Sequence, residues 1–184
     1  HTYARLVAAH KTLTVADLAW IGISPLRSTI ASLFDRPDAA AALRELERID
    51  VVAGVAGFAS RAFLFLGWLS ARLGLQVGAR SVEGGTWRCA ATHASGRPVV
   101  LTLRGEAARG HGIARVELAT PQHVWRVDRD DAGLHIDAPA TPRRVQPARR
   151  HEDADLVIAA LGVRGADPVY RGALAAALKL GGPV

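Results

Sequence analysis

Residues 65–74, Phe-Leu-Gly-Trp-Leu-Ser-Ala-Arg-Leu-Gly, belong to the stretch that decides the fold. Together with the residues before them they predict a helix over about 58–73. Its apolar stripe has the spacing of one helix face and consists of Phe58, Ala62, Phe65, Leu69 and Leu73. Leu64 and Trp68 add a neighbouring apolar face. A helix that is apolar over much of its circumference is typical of the centre of a domain, so the other elements are expected to pack around it.

After this helix the pattern changes from helical to strand-like. Three turn signals, Glu83–Gly85, Ala94–Gly96 and Asp130–Gly133, follow one another at hairpin spacing. The strands predicted around them are Gln76–Val82, Thr86–His93, Pro98–Arg104, Ile113–Ala119, Val124–Arg129 and Leu134–Asp137. Alternation of apolar and polar side chains predicts an antiparallel meander with one packed and one wetter face. Gly105–Gly112 is expected to be the loosest connection.

Short helices are predicted before the central helix. Candidates are a helix over Thr2–His10, a helical turn opened by a capping-box variant at Thr14, a helix from Ser24 to about Phe34, and a third, capped by Asp38, over Ala39–Arg48. A short β-branched strand, Ile49–Ala53, comes next.

The C-terminal part is predicted to be a loop followed by two helices. Pro139–Arg150 is rich in proline and arginine and is expected to be a loop. The helices cover about Asp153–Leu161 and a segment capped by Asp167 that stops at Gly181. The sequence therefore predicts a single α+β domain over 1–184, with a helical entry (about 1–48), a sheet with a core helix (about 49–140) and C-terminal helices (about 151–181).

Composition and charge narrow the classes of function. The net charge is +6, but arginines are spread along the chain, and the cluster Arg143, Arg144, Arg149 and Arg150 has no aromatic stacking motif beside it. This pattern disfavours nucleic acid and leaves room for an acidic partner. Arg61 interrupts the apolar stretch Val51–Leu69 and argues against a membrane span. The single cysteine, Cys89, excludes an intramolecular disulfide and fits the reducing cytoplasm.

Candidate catalytic groups are sparse. His93, His123 and His135 fall in or beside predicted strands, and no two histidines have the spacing of a helical metal site. Cys89 in the middle of a strand has no turn to project it as a nucleophile and is expected to be a small apolar core residue. The glycine-containing turns do not join a strand to a helix, as phosphate-binding motifs require. We therefore expect no catalytic residues, no metal and no cofactor.

Three motifs give a resemblance to a known family. The first runs from Asp17-Leu-Ala-Trp20 through Arg27 to Phe34-Asp35. The second comprises Gly67-Trp68-Leu69 and Arg72-Leu73-Gly74, and the third comprises Asp167, Tyr170 and Ala173-Leu174. In this order they resemble the glucose-6-phosphate dehydrogenase assembly protein, the OpcA family. One departure is Leu26, where the family usually has an aromatic residue.

The resemblance implies a C-terminal domain whose N-terminal α/β region is absent. It also implies a cytoplasmic, non-enzymatic protein that binds and activates glucose-6-phosphate dehydrogenase or promotes its assembly, and so supports NADPH production in the oxidative pentose phosphate pathway. The motif residues Asp17, Trp20, Arg27, Phe34, Asp35, Gly67, Trp68, Arg72 and Tyr170 are expected to be mainly structural. Partner contacts are expected on the solvated sheet face and at Arg143, Arg144, Arg149 and Arg150.

Two other classes of function remain open at this point. One is a sensing domain that binds a sugar phosphate or NADP through basic residues. The other, suggested by charge alone, is a nucleic-acid-binding module.

Overall fold

Eight strands form one sheet, and the helices pack on one of its faces. The computed structural model describes residues 7, 10, 14–56, 58–148 and 153–181. The strands are β1 Arg48–Ala56, β2 Gln76–Glu83, β3 Thr86–Thr92, β4 Pro98–His111, β5 Ile113–Ala119, β6 Val124–Arg129, β7 Leu134–Asp137 and β8 Arg144–Gln146. The helices are α1 Leu18–Gly22, α2 Ser24–Ser32, α3 Pro37–Ala42, α4 Phe58–Leu73, α5 Asp153–Leu161 and α6 Pro168–Lys179, with a 3-10 turn at Leu43–Glu45. The predicted α+β class is confirmed.

The sheet contains two antiparallel meanders separated by β1. Its strand order is β2-β3-β4-β1-β5-β6-β7-β8. β1 pairs in parallel with β4 and antiparallel with β5. It therefore separates β4 from β5, although these two strands follow each other directly in the sequence. Ile49, Val51, Val52 and Ala53 are all buried. Ile49 and Val51 point to the face that the helices cover, whereas Arg48 and Asp50 of the same strand point to the other, solvated face.

The predicted central helix is α4, with the predicted bounds. From Ala62 to Ser70 every residue is buried, as its near-continuous apolar surface requires. Phe63 on α4 meets Trp87 on β3 edge to face, with ring centroids 5.2 Å apart. Gly74 ends the helix in the left-handed conformation, at φ 64°, that glycine adopts without strain. No helix in the described parts of the chain is long and apolar enough to cross a membrane.

A glycine allows α6 to pack closely on α4. A Cβ atom placed on Gly67 of α4 would lie 2.3 Å from the Ala173 carbonyl oxygen and 2.7 Å from the Ala177 nitrogen. Ala173 and Ala177 on α6 are fully buried. The backbones of α4 and α6 therefore approach so closely that only glycine fits at the crossing.

Four local predictions were wrong. The segment predicted as the loosest connection, Gly105–Gly112, largely continues β4, which reaches His111 and pairs with the end of β1. The predicted loop Pro139–Arg150 contains the edge strand β8, paired with β7. Each segment is a strand because of its partner. The partner of the end of β4 is β1, which lies far away in sequence, and β8 pairs with the edge of β7, which no local sequence pattern indicates.

The other two errors concern helix starts. Asp17, not Thr14, caps α1. Helix α3 starts at Pro37 behind Arg36, and Asp38 lies inside its first turn, where it pairs with Arg36 at 2.9 Å. The helix ends at Ala42, short of the predicted Arg48, because the chain turns there to enter β1. The predicted helix Thr2–His10 falls almost wholly outside the described residues.

We expect Gly67→Ala to destabilise the fold by about 1–3 kcal/mol, because the added methyl group would force α4 and α6 apart. Gly172→Ala is the matched control on α6, since its Cβ would meet only the Ala71 methyl at 4.0 Å. That change should be neutral or stabilising by up to about 1 kcal/mol through helix propensity. Thermal and urea denaturation of both variants would measure this, and equal stability of the two would contradict the close crossing.

Candidate protein-binding surface

The first and third sequence motifs meet at the starts of two helices. Asp17 caps α1, where its Oδ1 accepts hydrogen bonds from the Ala19 and Trp20 amides at 2.8 and 3.1 Å. Asp167 caps α6 in the same way, accepting from the Val169 and Tyr170 amides at 2.8 and 3.0 Å. An aspartate at this position satisfies amides that have no partner within the helix.

Each capping carboxylate also binds an aromatic side chain of the other helix. Tyr170 Oη donates to Asp17 Oδ2 at 2.8 Å, and Trp20 Nε1 donates to Asp167 Oδ2 at 2.9 Å. The two rings lie 5.5 Å apart. This reciprocal arrangement, which we call the cap pair, joins α1 to α6 across most of the length of the chain. It gives Asp17, Trp20 and Tyr170 a structural role.

Arg27 covers the outer side of the cap pair. Its Cζ lies 3.4 Å from the centroid of the Trp20 ring, a cation–π contact. Burial lowers the pKa of Arg27 to about 10, and the negative charge of Asp167 opposes that shift. The guanidinium is therefore charged at neutral pH, and its role here is to pack on the indole.

The remaining motif residues are spread over the fold. Phe34 packs against Trp125 of β6 with centroids 5.0 Å apart, and Trp68 is buried beside Phe65. Leu26, at the position where the sequence departs from the family, is 2% exposed and belongs to the core. Arg72 and Asp35 are exposed. These motif residues therefore do not come together at one place.

The residues considered for catalysis lie at separate places. His93 contacts Ser95, His123 packs on Trp125, and His135 lies 2.7 Å from Asp130. Cys89 is buried, and burial raises the pKa of its thiol, with Gly78 and Arg80 opposing the shift. A thiol held protonated in this way lacks the properties of a nucleophile.

The sheet face opposite the helices is polar and charged, and we call it the open face. The strand register aligns one row of side chains across six strands: Arg88, Thr102, Asp50, Glu117, Arg126 and Asp137. Residues of the same strands that point the other way, among them Ile49, Leu101 and Leu118, are fully buried. This is the two-sided pattern of an antiparallel sheet with one solvated face.

The middle of the open face is occupied by ion pairs. Arg48 bridges Asp50 and Glu117, the latter at 2.8 Å. Arg126 donates through Nε and Nη2 to Glu117 at 2.9 and 2.8 Å. Arg115 reaches Asp128 at 2.5 Å. These carboxylates and arginines largely neutralise one another.

The β3–β4 side of the open face is different. A groove of about 1100 Å³ there is lined by four arginines, Arg48, Arg88, Arg97 and Arg104, against two carboxylates, Glu47 and Asp50. We call it the arginine groove. Since Arg48 pairs with Asp50, three guanidinium groups remain opposite Glu47, and none of the three forms an ion pair with a described carboxylate. Val100 and Val124, each more than two-fifths exposed, add apolar surface.

The predicted partner-binding arginines lie at the other edge of the sheet. Arg143 and Arg144 are exposed, and Arg144 belongs to β8 in register with Ile136. A smaller hollow of about 260 Å³ beside them is lined by Arg36, His123 and Trp125. Arg149 and Arg150 lie outside the described residues.

Sequence reasoning named the solvated face but missed its arginine groove. Alternation on β3 and β4 identifies Arg88 and Arg104 as outward-facing, whereas the ion pairs that neutralise the rest of the face depend on where β1 is inserted. Only the register reveals which arginines keep an uncompensated charge.

Comparison with known proteins gives one family and a weak relative. The profile of a family described as the C-terminal domain of a glucose-6-phosphate dehydrogenase subunit, OpcA, matches residues 13–174. A protein of Nostoc punctiforme named "Putative OxPP cycle protein OpcA" is 34% identical over 79 residues, which is 43% of this chain and 17% of that protein. The match therefore spans less than a fifth of the relative's length.

Solved structures share the fold. A mutant of the 3-ketoreductase KijD10 of Actinomadura kijaniata, in complex with TDP-benzene and NADP, superposes with a TM-score of 0.58 at 14% identity over 96% of this chain and 63% of that one. A second KijD10 structure, with the same two ligands, gives a TM-score of 0.58 at 12% identity, over 92% and 61% of the two chains. Identity this low shows similarity of fold alone.

Trp20→Phe and Tyr170→Phe should each cost about 1–3 kcal/mol, because each removes a hydrogen bond to a carboxylate in a partly buried setting. We expect the double variant to cost less than the sum, since losing one bond loosens the helix starts that hold the other. Denaturant titrations of the four proteins in this cycle would measure the coupling. Asp38→Asn, which removes an exposed pair, should leave Tm unchanged, and strict additivity would contradict the cap pair as a unit.

Glu117→Gln should become less damaging in acid. Burial raises the pKa of Glu117, but hydrogen bonds and charge from Arg126 and Arg48 outweigh it and hold the pKa below its usual value. A carboxylate with a lowered folded-state pKa contributes stability above its unfolded pKa and loses it as the pH falls through the folded value. The difference in unfolding free energy between wild type and Glu117→Gln should thus shrink below about pH 4.5. An exposed control, Glu45→Gln, should show no such change, and a constant difference for Glu117→Gln would contradict these ion pairs.

Proposed function

The chain belongs to the OpcA family, and we propose on that basis that it binds glucose-6-phosphate dehydrogenase and activates it or promotes its assembly. The observation that carries this proposal is the family match over residues 13–174, which includes the sheet, the central helix and the cap pair. The relative named as an oxidative pentose phosphate cycle protein points to the same pathway. In this proposal the protein acts in the cytoplasm and supports NADPH production without being an enzyme itself.

The chemistry of the described surface supports a binding role. The one thiol is buried with a raised pKa, and the histidines of the strands have separate partners. The open face instead offers a broad area with charged and apolar groups side by side. Eight strands about 4.8 Å apart span roughly 34 Å, which is the scale of a standard protein–protein interface.

Arg143 and Arg144, which are exposed at and beside β8, support the same role. We propose that Arg143, Arg144, Arg149 and Arg150 pair with carboxylates on the dehydrogenase. Charges at the rim of an interface change the association rate constant and its salt dependence more than the dissociation rate constant. Neutralising all four should weaken binding and flatten its dependence on salt.

The test is a titration of the dehydrogenase from the same organism with this chain, following activity and complex size together. We expect a complex to form and activity to rise with its concentration. Binding without activation would support docking by this chain and contradict activation by it. Absence of binding would contradict the proposal.

A thermal shift assay separates this proposal from a ligand-sensing domain. A ligand that binds only the folded state must raise Tm. We expect no shift with glucose 6-phosphate or NADP alone. A concentration-dependent rise with either would favour the sensing function, and binding to random-sequence DNA that falls steeply with salt would favour a nucleic-acid-binding module.

A further inference from the structure

The arginine groove brings together three exposed arginines that form no ion pair with a described carboxylate. On the β1, β5 and β6 side, Asp50, Glu117 and Asp128 are each held by an arginine. On the β3 and β4 side, Arg88, Arg97 and Arg104 have only Glu47 opposite them in the groove. The open face therefore has a neutral middle and a positive side, an asymmetry that net charge alone does not reveal.

The positions of these arginines follow from the register. Arg88 lies opposite Thr102, and Arg104 lies opposite Thr86 on the neighbouring strand. Arg97 immediately precedes β4, at the end of the β3–β4 hairpin. Two strands fixed in a sheet thus hold Arg88 and Arg104 at a diagonal distance of about 7–8 Å. Positive charges fixed on a rigid sheet need no reordering of the backbone when a partner arrives.

The shape of the groove favours a protein surface over a small ligand. Sites for small ligands enclose most of the ligand and place a few buried polar groups around it. Here Arg88, Arg97 and Arg104 are all exposed, and the groove opens onto the rest of the sheet. Val100 and Val124, exposed at 42% and 43%, provide apolar contact beside the charges, as protein interfaces do.

A second copy of this chain is a poor occupant. The chain carries a net charge of +6, so two copies repel one another as they approach. A partner with clustered carboxylates has the opposite charge and would be steered towards the uncompensated arginines.

We propose that the arginine groove docks an acidic surface of the dehydrogenase, with Arg88, Arg97 and Arg104 supplying the charge and Val100 and Val124 the apolar contact. This inference rests on the proposed function. Arg144 on β8 lies in register with the buried Ile136 and lines a hollow together with residues of α2 and α3, so it belongs to the helix side of the sheet and lies outside this docking surface.

The test compares two triple variants with the same loss of charge. Arg88→Gln, Arg97→Gln and Arg104→Gln together remove the three guanidinium charges of the groove that form no ion pair. Arg44→Gln, Arg164→Gln and Lys179→Gln together are the control, because these three side chains are exposed and lie outside the sheet. Binding of each to the purified dehydrogenase is measured by calorimetry and stopped-flow at several salt concentrations, after Tm has shown that both variants fold.

We expect the groove variant to bind about tenfold more weakly, mainly through a slower association rate, and to lose much of the salt dependence. The control should bind within about twofold of the unmodified chain. Equal affinity and equal salt dependence for the two variants would overturn the inference while the unmodified chain still bound.

Other outcomes separate the inference from the proposed function. Failure of the unmodified chain to bind the dehydrogenase contradicts the function itself. Binding of random-sequence DNA by the unmodified chain that the groove variant loses, with dehydrogenase binding unchanged, would overturn the inference and assign the groove to nucleic acid. A loss of dehydrogenase binding confined to Arg143→Gln and Arg144→Gln would also overturn it and place docking at the β8 edge.

Discussion

The close crossing of α4 and α6 at Gly67 is the contact on which the rest of the structure depends. It brings α6 against the one helix that covers the middle of the sheet. Because α6 begins at Asp167, the same crossing fixes where the cap pair must form and therefore where α1 lies. The contact between α4 and α6 at Gly67 thus positions α6, and α6 in turn positions α1. With them gathered on one face of the sheet, the other face is left to solvent.

The sequence predicted those parts of the fold whose cause is local. The burial of α4 follows from apolar residues around its whole circumference, and the hairpin turns at Gly84–Gly85 and Asp130–Gly133 follow from residues that favour such turns. The errors occurred where a distant partner decides. The second half of β4 is a strand because the end of β1 lies beside it, and β8 exists because β7 offers it an edge. Neither partner is visible in a window of neighbouring residues.

The same distinction separates the motifs from the surface. The resemblance rests on residues such as Asp17, Trp20 and Tyr170, which prove to hold two helix starts together, so the most recognisable part of the sequence describes the framework. The arginines of the groove look like ordinary outward-facing strand residues. They are set apart by lying together in one groove on the open face without an ion pair to a described carboxylate, and that arrangement depends on the strand order. Such a surface can be identified only from the strand register, because the register decides which arginines have a carboxylate beside them.

The central, parallel placement of β1 also constrains how the chain folds. Arg48 pairs with Val100 on one side and with Ala119 on the other, so β1 is synthesised well before either partner. The β2–β3–β4 and β5–β6–β7 hairpins are local and can form early, whereas β1 must be inserted between β4 and β5, which closes a long stretch of chain that includes α4, β2 and β3. Assembly of the sheet therefore ends with a non-local step. Until that step, β1 is an apolar strand with two unpaired edges, the kind of segment that associates between chains, so the slow stage of folding is also the one most exposed to aggregation.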